Sequence, residues 1–314
     1  MPRQPGRSDN TTVFIFGIQA DPDKLQALCD LTLNPRDAND DPLHPDLEYR
    51  VMTSVVMLMF MKMGNLCSLD PQDSTKGLLR ENELNVAIPL LVFERIAGIM
   101  VPVRMVWYMP YLWIDSGVCM TMGRETYGFP KTMAHLVVPE ALGDPALFTV
   151  DAEVWDPAHV SPPCQELRVV TVQRPNGGVV TAMTSLEIEE FALDAISAFQ
   201  LPALAAPFAT VAGWLAEARF VFLKQFRDHA NGDDACYQAI VEAPVTYPAF
   251  HSLHWLEGPY QAELYEYAST PLVSDLGLAG MNGPGTMAVQ NTLFAGMMNF
   301  DFVLGNGQTV WLAP

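Results

Sequence analysis

Gly123-Arg124-Glu125-Thr126-Tyr127-Gly128-Phe129-Pro130-Lys131 sets one lysine directly after an aromatic–proline pair, among small and apolar residues. Lysine is scarce in this chain of 314 residues: the others are Lys24, Lys62, Lys76 and Lys224. A lysine forced into an apolar pocket loses the hydration of its ammonium form, and its pKa falls. The neutral amine is then a nucleophile that condenses with a ketone to give a Schiff base. The same residues also fit a turn whose lysine lays its stem along apolar surface and keeps its head in water.

Outward from this segment the chain reads mostly as strands. Residues 111–122 predict a strand running into Gly123, and 84–93 and 97–108 predict two before it. Further strands are expected at 13–18, 51–63, 148–155, 167–173, 179–188, 219–226, 236–243, 260–267, 300–304 and 308–312. In 51–63, Val55, Val56 and Phe60 favour a strand, and its alternating methionines suit either a pocket wall or gap-filling in a core. Asn176-Gly177 and Asn231-Gly232 are turn signals between β-rich runs, the first a hairpin. Asp21-Pro22 opens a helix with Leu25, Leu28 and Cys29 on one face. The stretches 34–45 and 67–80 are polar and turn-rich. Residues 189–218 are the main helical candidate, broken at Pro202 and Pro207. Many strands joined by short turns predict an antiparallel sheet or barrel rather than a βαβ array.

Half of the residues, 50%, are hydrophobic, enough for a large core. The formal net charge is −19, from 36 acids against 17 bases, which argues against nucleic acid and anionic membrane as partners. Five cysteines stand apart with no Cys-x-x-Cys, which fits reduced thiols and a cytoplasmic setting. Residues 1–10 carry no apolar core of a secretory signal, and the apolar window 201–218 is too short and broken for a membrane span.

Trp113-Ile114-Asp115, Gly123-Arg124-Glu125 and Phe129-Pro130-Lys131, in that order and spacing, resemble the active-site region of the acetoacetate decarboxylase family. Glu83, five residues ahead of Ile88-Pro89-Leu90, resembles the glutamate of that family, which precedes an Ile-Pro pair. The likeness is strongest over 83–136 and looser over 12–63 and 220–303; 187–218 has no counterpart. It implies a mainly β (α+β) fold, an antiparallel β-barrel or cone with peripheral helices, in a single domain over 1–314 with a helical insertion at 187–218. It also implies that Lys131 is the Schiff-base lysine and that Glu83 moves protons or orients the substrate. Arg124, Glu125, Phe129 and Met59 are the expected substrate-binding residues, with Arg124 and Glu125 also able to form an ion pair that shapes the lysine segment.

Three departures from the family pattern remove charge. Thr132 stands where the family has a second lysine, Met59 at the position of a second acid, and Thr11 at that of an arginine, with Arg7 nearby. Desolvation is then the route left to a neutral Lys131, and the substrate expected is a larger or less polar carbonyl compound than acetoacetate. His135 is an ordinary strand or turn histidine or lies at a pocket mouth. His251-Ser-Leu-His254 has weak metal spacing and reads as structural. The glycines of 277–285 do not make a dinucleotide loop. The expectation is therefore a lyase that forms a lysine imine with a small-molecule keto acid or ketone, without cofactor or metal, as a cytoplasmic homo-oligomer. Decarboxylation of a β-keto acid, aldol condensation–dehydration of pyruvate with an aldehyde, and a non-catalytic ligand-binding barrel all remain open.

Overall fold

The computed structural model describes residues 2–140, 146–155, 164–175, 180–182, 219–279 and 286–313. In chain order these form β1 (Gly6–Gln19), α1 (Pro22–Leu33), β2 (Leu47–Val51), β3 (Val55–Ser68), β4 (Leu79–Ile96) and β5 (Ile99–Ile114). Next come α2 (Gly117–Thr126), β6 (Lys131–Val137), β7 (Leu147–Val154), β8 (Gln165–Gln173), β9 (Val180–Ala182) and β10 (Arg219–Arg227). The chain ends with β11 (Ala235–Leu256), β12 (Gln261–Tyr265), α3 (Leu272–Asp275), β13 (Met287–Asn291), β14 (Phe294–Leu304) and β15 (Gln308–Leu312).

All fifteen described strands belong to one sheet, and its pairing is closed in the middle. The path β5-β10-β11-β14-β1-β3-β4 returns to β5 through a long antiparallel β4–β5 ladder, which makes a ring of hydrogen-bonded strands. From β5 a second arm runs through β6, β7, β8 and β12 to β13. It begins at a short parallel ladder, Leu112 to Ile114 against Lys131 to Met133. The described residues make a mainly β fold with few helices, as the sequence predicts.

The middle parts of β1, β3 and β4 are buried on both faces, which is why they read as near-continuous apolar runs. In β1, Phe14, Phe16 and Ile18 enter one hydrophobic cluster, and Val13 and Ile15 enter another. In β3, Val56, Leu58 and Phe60 join the first, and Met57, Met61 and Met63 the second. The first cluster lies between the ring and the arm: Phe148 of β7 sits 5.0 Å, centroid to centroid, from each of Phe14, Phe16 and Phe60. The second cluster faces the ring interior.

Several boundaries differ from expectation. The run 51–63 is not one strand: β2 ends at Val51, Thr53 turns the chain by accepting from the Val55 N–H at 3.1 Å, and β3 begins there. The predicted strand 111–122 ends at Ile114, because Ser116 caps α2 by accepting from the Cys119 N–H. Cys119, Met122 and Gly123 then recur at helical spacing on its buried side. β8 and β9 do not form a hairpin across 176–177: β8 pairs with β7 and β12, and β9 with β11. Asn176-Gly177 itself, the helical candidate 187–218 and most of the glycine-rich 277–285 lie outside the described residues. Among the described residues no helix is long and apolar enough to cross a membrane.

Candidate active site

Glu81, Glu83 and Asn85 alternate along β4, so period-two geometry puts all three on the inner face of the ring. They are only 4%, 6% and 2% exposed. Asn82 between them turns the other way, where Asp115 accepts from its backbone N–H at 2.8 Å and its Nδ2 at 2.7 Å. That bidentate contact at the end of β5 fixes the register that points both glutamates inward. Glu83 is thus a buried strand residue.

Lys131 reaches the same place from the opposite side. After α2 the N–H groups of Tyr127, Gly128 and Phe129 all converge on the Gly123 carbonyl. Gly128 has φ +86°, and a Cβ there would meet the Lys224 Cα of β10 at 2.5 Å, so this turn requires glycine. Gly123 is needed for room: a Cβ would lie 3.0 Å from Lys131 Cδ and 2.8 Å from the Phe129 ring. Arg124 Nη1 donates to the Lys131 carbonyl at 2.9 Å. The lysine then opens β6 beside Leu112, whose partner on β4 is Asn85.

Lys131 Nζ lies 3.4 Å from Glu81 Oε1 and 3.3 Å from Glu83 Oε2, and 5.3 Å from the centroid of the Phe129 ring. Asn85 Nδ2 donates to Glu83 Oε1 at 2.9 Å. Burial pulls the Lys131 pKa down, but the charges of Glu81 and Glu83 push it up, and the carboxylates win: it sits above the ordinary lysine value. The desolvated, neutral amine expected from sequence is therefore reversed: the two carboxylates favour the charged form. Burial raises the Glu81 carboxyl, against the pull of Lys131 and with the charge of Glu83 adding to the rise. The Cys119 thiol beside them is pushed up to about 12, chiefly by burial, which makes it an inert neighbour.

These groups stand in the wall of a cavity of about 580 Å³ inside the ring. Apart from them the lining is overwhelmingly apolar: methionines of β3, Met109, Met122, Met298 and rings including Trp107, Phe129, Phe294 and Phe300. Exposed Arg3, Lys76, Tyr247 and Phe250 mark the part of the lining nearest solvent. Of the residues expected in the site, Lys131, Glu83, Phe129 and Met59 all line this cavity. Arg124 and Glu125 do not; both are exposed on α2, and the guanidinium of Arg124 is bonded to backbone rather than to Glu125. His135 is exposed on β6, and His251 meets Asp301 at 2.8 Å. Among the described residues no group of three metal-ligating side chains occurs. Glu81 is the residue that sequence reasoning missed. The signal was its spacing, two residues before Glu83 on the same strand.

The sequence matches the acetoacetate decarboxylase (ADC) family over residues 1–311. This chain belongs to that family. No curated protein sequence matches it. An acetoacetate decarboxylase of known structure superposes with a TM-score of 0.59 at 17% identity, covering 99% of this chain and 91% of its own. The acetoacetate decarboxylase of Legionella pneumophila gives 0.58 at 16% identity, covering 99% and 89%. The enduracididine biosynthesis enzyme MppR, complexed with the condensation product of pyruvate and imidazole 4-carboxaldehyde, gives 0.53 at 15% identity, covering 98% and 90%. At these identities the likeness is one of fold.

Against the acetoacetate decarboxylase pattern, the departures take definite positions. Thr132, in place of the second lysine, is exposed on the outer side of β6. Thr11 is buried and bonded to Ser8 at 2.7 Å, and Arg7 is paired with Asp9 and Asp301, so neither lines the cavity. Met59, at the expected position of a second acid, stands opposite Asn85 on the β3–β4 ladder, and Glu81 stands opposite Met63.

Proposed function

We propose that this member of the acetoacetate decarboxylase family is a carbon–carbon lyase that works through an imine on Lys131, with decarboxylation of a β-keto acid as its primary reaction. The observation that carries the reading is one buried lysine, 4% exposed, on the wall of an apolar cavity between two buried carboxylates. Glu81 or Glu83 takes the ammonium proton as the substrate displaces water. The Nζ lone pair attacks the ketone carbon, and the oxygen leaves as water. The protonated imine then accepts the electron pair of the C–C bond as carbon dioxide departs. One of the two acids returns a proton to the enamine carbon, and hydrolysis frees the ketone and Lys131. Two carboxylates beside the imine also disfavour a substrate carboxylate in the ground state, a repulsion relieved when neutral carbon dioxide leaves.

The cavity volume supports a second reading. About 580 Å³ has room for two reactants, and the enamine of a small keto acid attacking an aldehyde with loss of water uses the same lysine and the same two acids. The fold is shared with MppR, whose structure holds such a condensation product. Both readings give the same first test. Reduction with cyanoborohydride in the presence of a panel of keto acids should add ligand mass to the peptide carrying Lys131, and Lys131→Arg should abolish the adduct. Labelling at other lysines, or at none with any carbonyl compound, would make the chain a ligand-binding barrel.

A further inference from the structure

The cavity is much larger than its polar corner. A ligand site of about 580 Å³ falls in the range that encloses a drug-sized molecule, roughly 300–1,000 Å³. A keto acid the size of pyruvate or acetoacetate, held at Lys131, leaves most of it empty.

What faces the empty part is selective. Along β3 the residues pointing away from the cavity are Val56, Leu58 and Phe60, side chains of fixed shape packed in the core between ring and arm. Those pointing into the cavity are Met57, Met59, Met61 and Met63. Strand propensity favours β-branched and aromatic residues at all of these positions, so one strand separates rigid side chains from unbranched ones by face. Met298 faces the same space from β14, which lies across the ring from β4. Unbranched thioethers follow the contour of a flexible apolar ligand and cost little to rearrange. Among the described residues the cations of the lining other than Lys131 are Arg3 and Lys76, both paired with Asp73.

Resting on the imine reading above, we infer that the natural substrate is a carbonyl compound carrying a long, flexible apolar chain, whose carbonyl meets Lys131 and whose tail lies along the methionine wall. Each methylene of such a tail that leaves water contributes about 0.8 kcal/mol, which is roughly a fourfold gain in affinity per carbon.

The test uses a series of straight-chain methyl ketones, acetone, 2-heptanone and 2-undecanone, with the purified full-length protein and cyanoborohydride. The Lys131 amine adds to the ketone, water leaves, and hydride from the reagent reduces the iminium to a secondary amine whose mass reports the ketone. The ketone concentration giving half-maximal labelling should fall several-fold per added methylene until the tail fills the cavity. Met298→Trp should lower the preference for 2-undecanone over 2-heptanone. Equal labelling by all three ketones would overturn the apolar-tail inference and leave the imine standing. No labelling of Lys131 by any of them would overturn both.

Discussion

At the residue scale the site is a problem of proton accounting. One buried ammonium and two buried carboxylates cannot all be equally at ease, and the structure favours charge on Lys131, whose pKa is raised by its partners. The free amine that attacks a ketone therefore becomes abundant only above the ordinary lysine value of ~10.4 unless substrate binding rearranges the protons. Glu81→Gln deletes one of the carboxylate charges that raise the pKa and leaves the desolvation that lowers it. The pH profile of acetone trapping on Lys131 should then move to lower pH. A profile that stays in place would mean that Glu81 is already neutral and that Glu83 alone holds the ammonium. Glu83→Gln keeps the size of the side chain but removes a proton carrier. Trapping should survive while turnover falls by roughly 10²–10⁴. Unchanged turnover would transfer the acid–base role to Glu81; lost trapping would make Glu83 a shaper of the pocket.

At the element scale, a buried clamp holds the ring where β2, β5 and β11 come together. Glu242 of β11 is fully buried and accepts from Arg104 Nη2 at 2.7 Å, Arg104 Nε at 3.0 Å and the Tyr49 hydroxyl at 3.0 Å. Arg104 also pairs with Glu94 on β4. These residues lie far apart in sequence, and no local pattern announces them. Breaking a buried pair by removing one partner leaves an uncompensated charge. Arg104→Leu is expected to destabilise the protein by about 3–5 kcal/mol, read as a lowered urea midpoint, because Arg219 at 3.8 Å is a poor substitute. A midpoint within experimental error of the parent would show that the clamp contributes no net stability. The same scale explains the misread helix. Val118, Cys119, Met120 and Met122 are apolar enough for a strand. Ser116 supplies the cap, and contacts with β6 fix which side of α2 is buried.

At the scale of the whole molecule, the ring ties distant segments into one cooperative structure. Strands with both faces buried should open only with global unfolding, whereas strands with a single partner open locally. Hydrogen exchange should therefore be slowest in residues 13–18, 56–61 and 84–92. It should be faster by roughly a hundredfold or more in β13 and β15, each with one partner strand among the described residues and largely exposed. Uniform protection across all strands would contradict this division. The sequence by itself determined the strand-rich fold, the lysine after its aromatic–proline pair and the glutamate at position 83, because apolar runs, turn glycines and a contiguous motif are local properties of the chain. Only the tertiary structure decided that the ring closes, that Glu81 shares the lysine, that the methionines of β3 line a cavity, and that Arg124 and Glu125 stand outside it. Each of these depends on which strands become neighbours and which face turns inward. A period-two pattern places residues on a common face, and only the pairing of β4 with β3 and β5 says what that face meets.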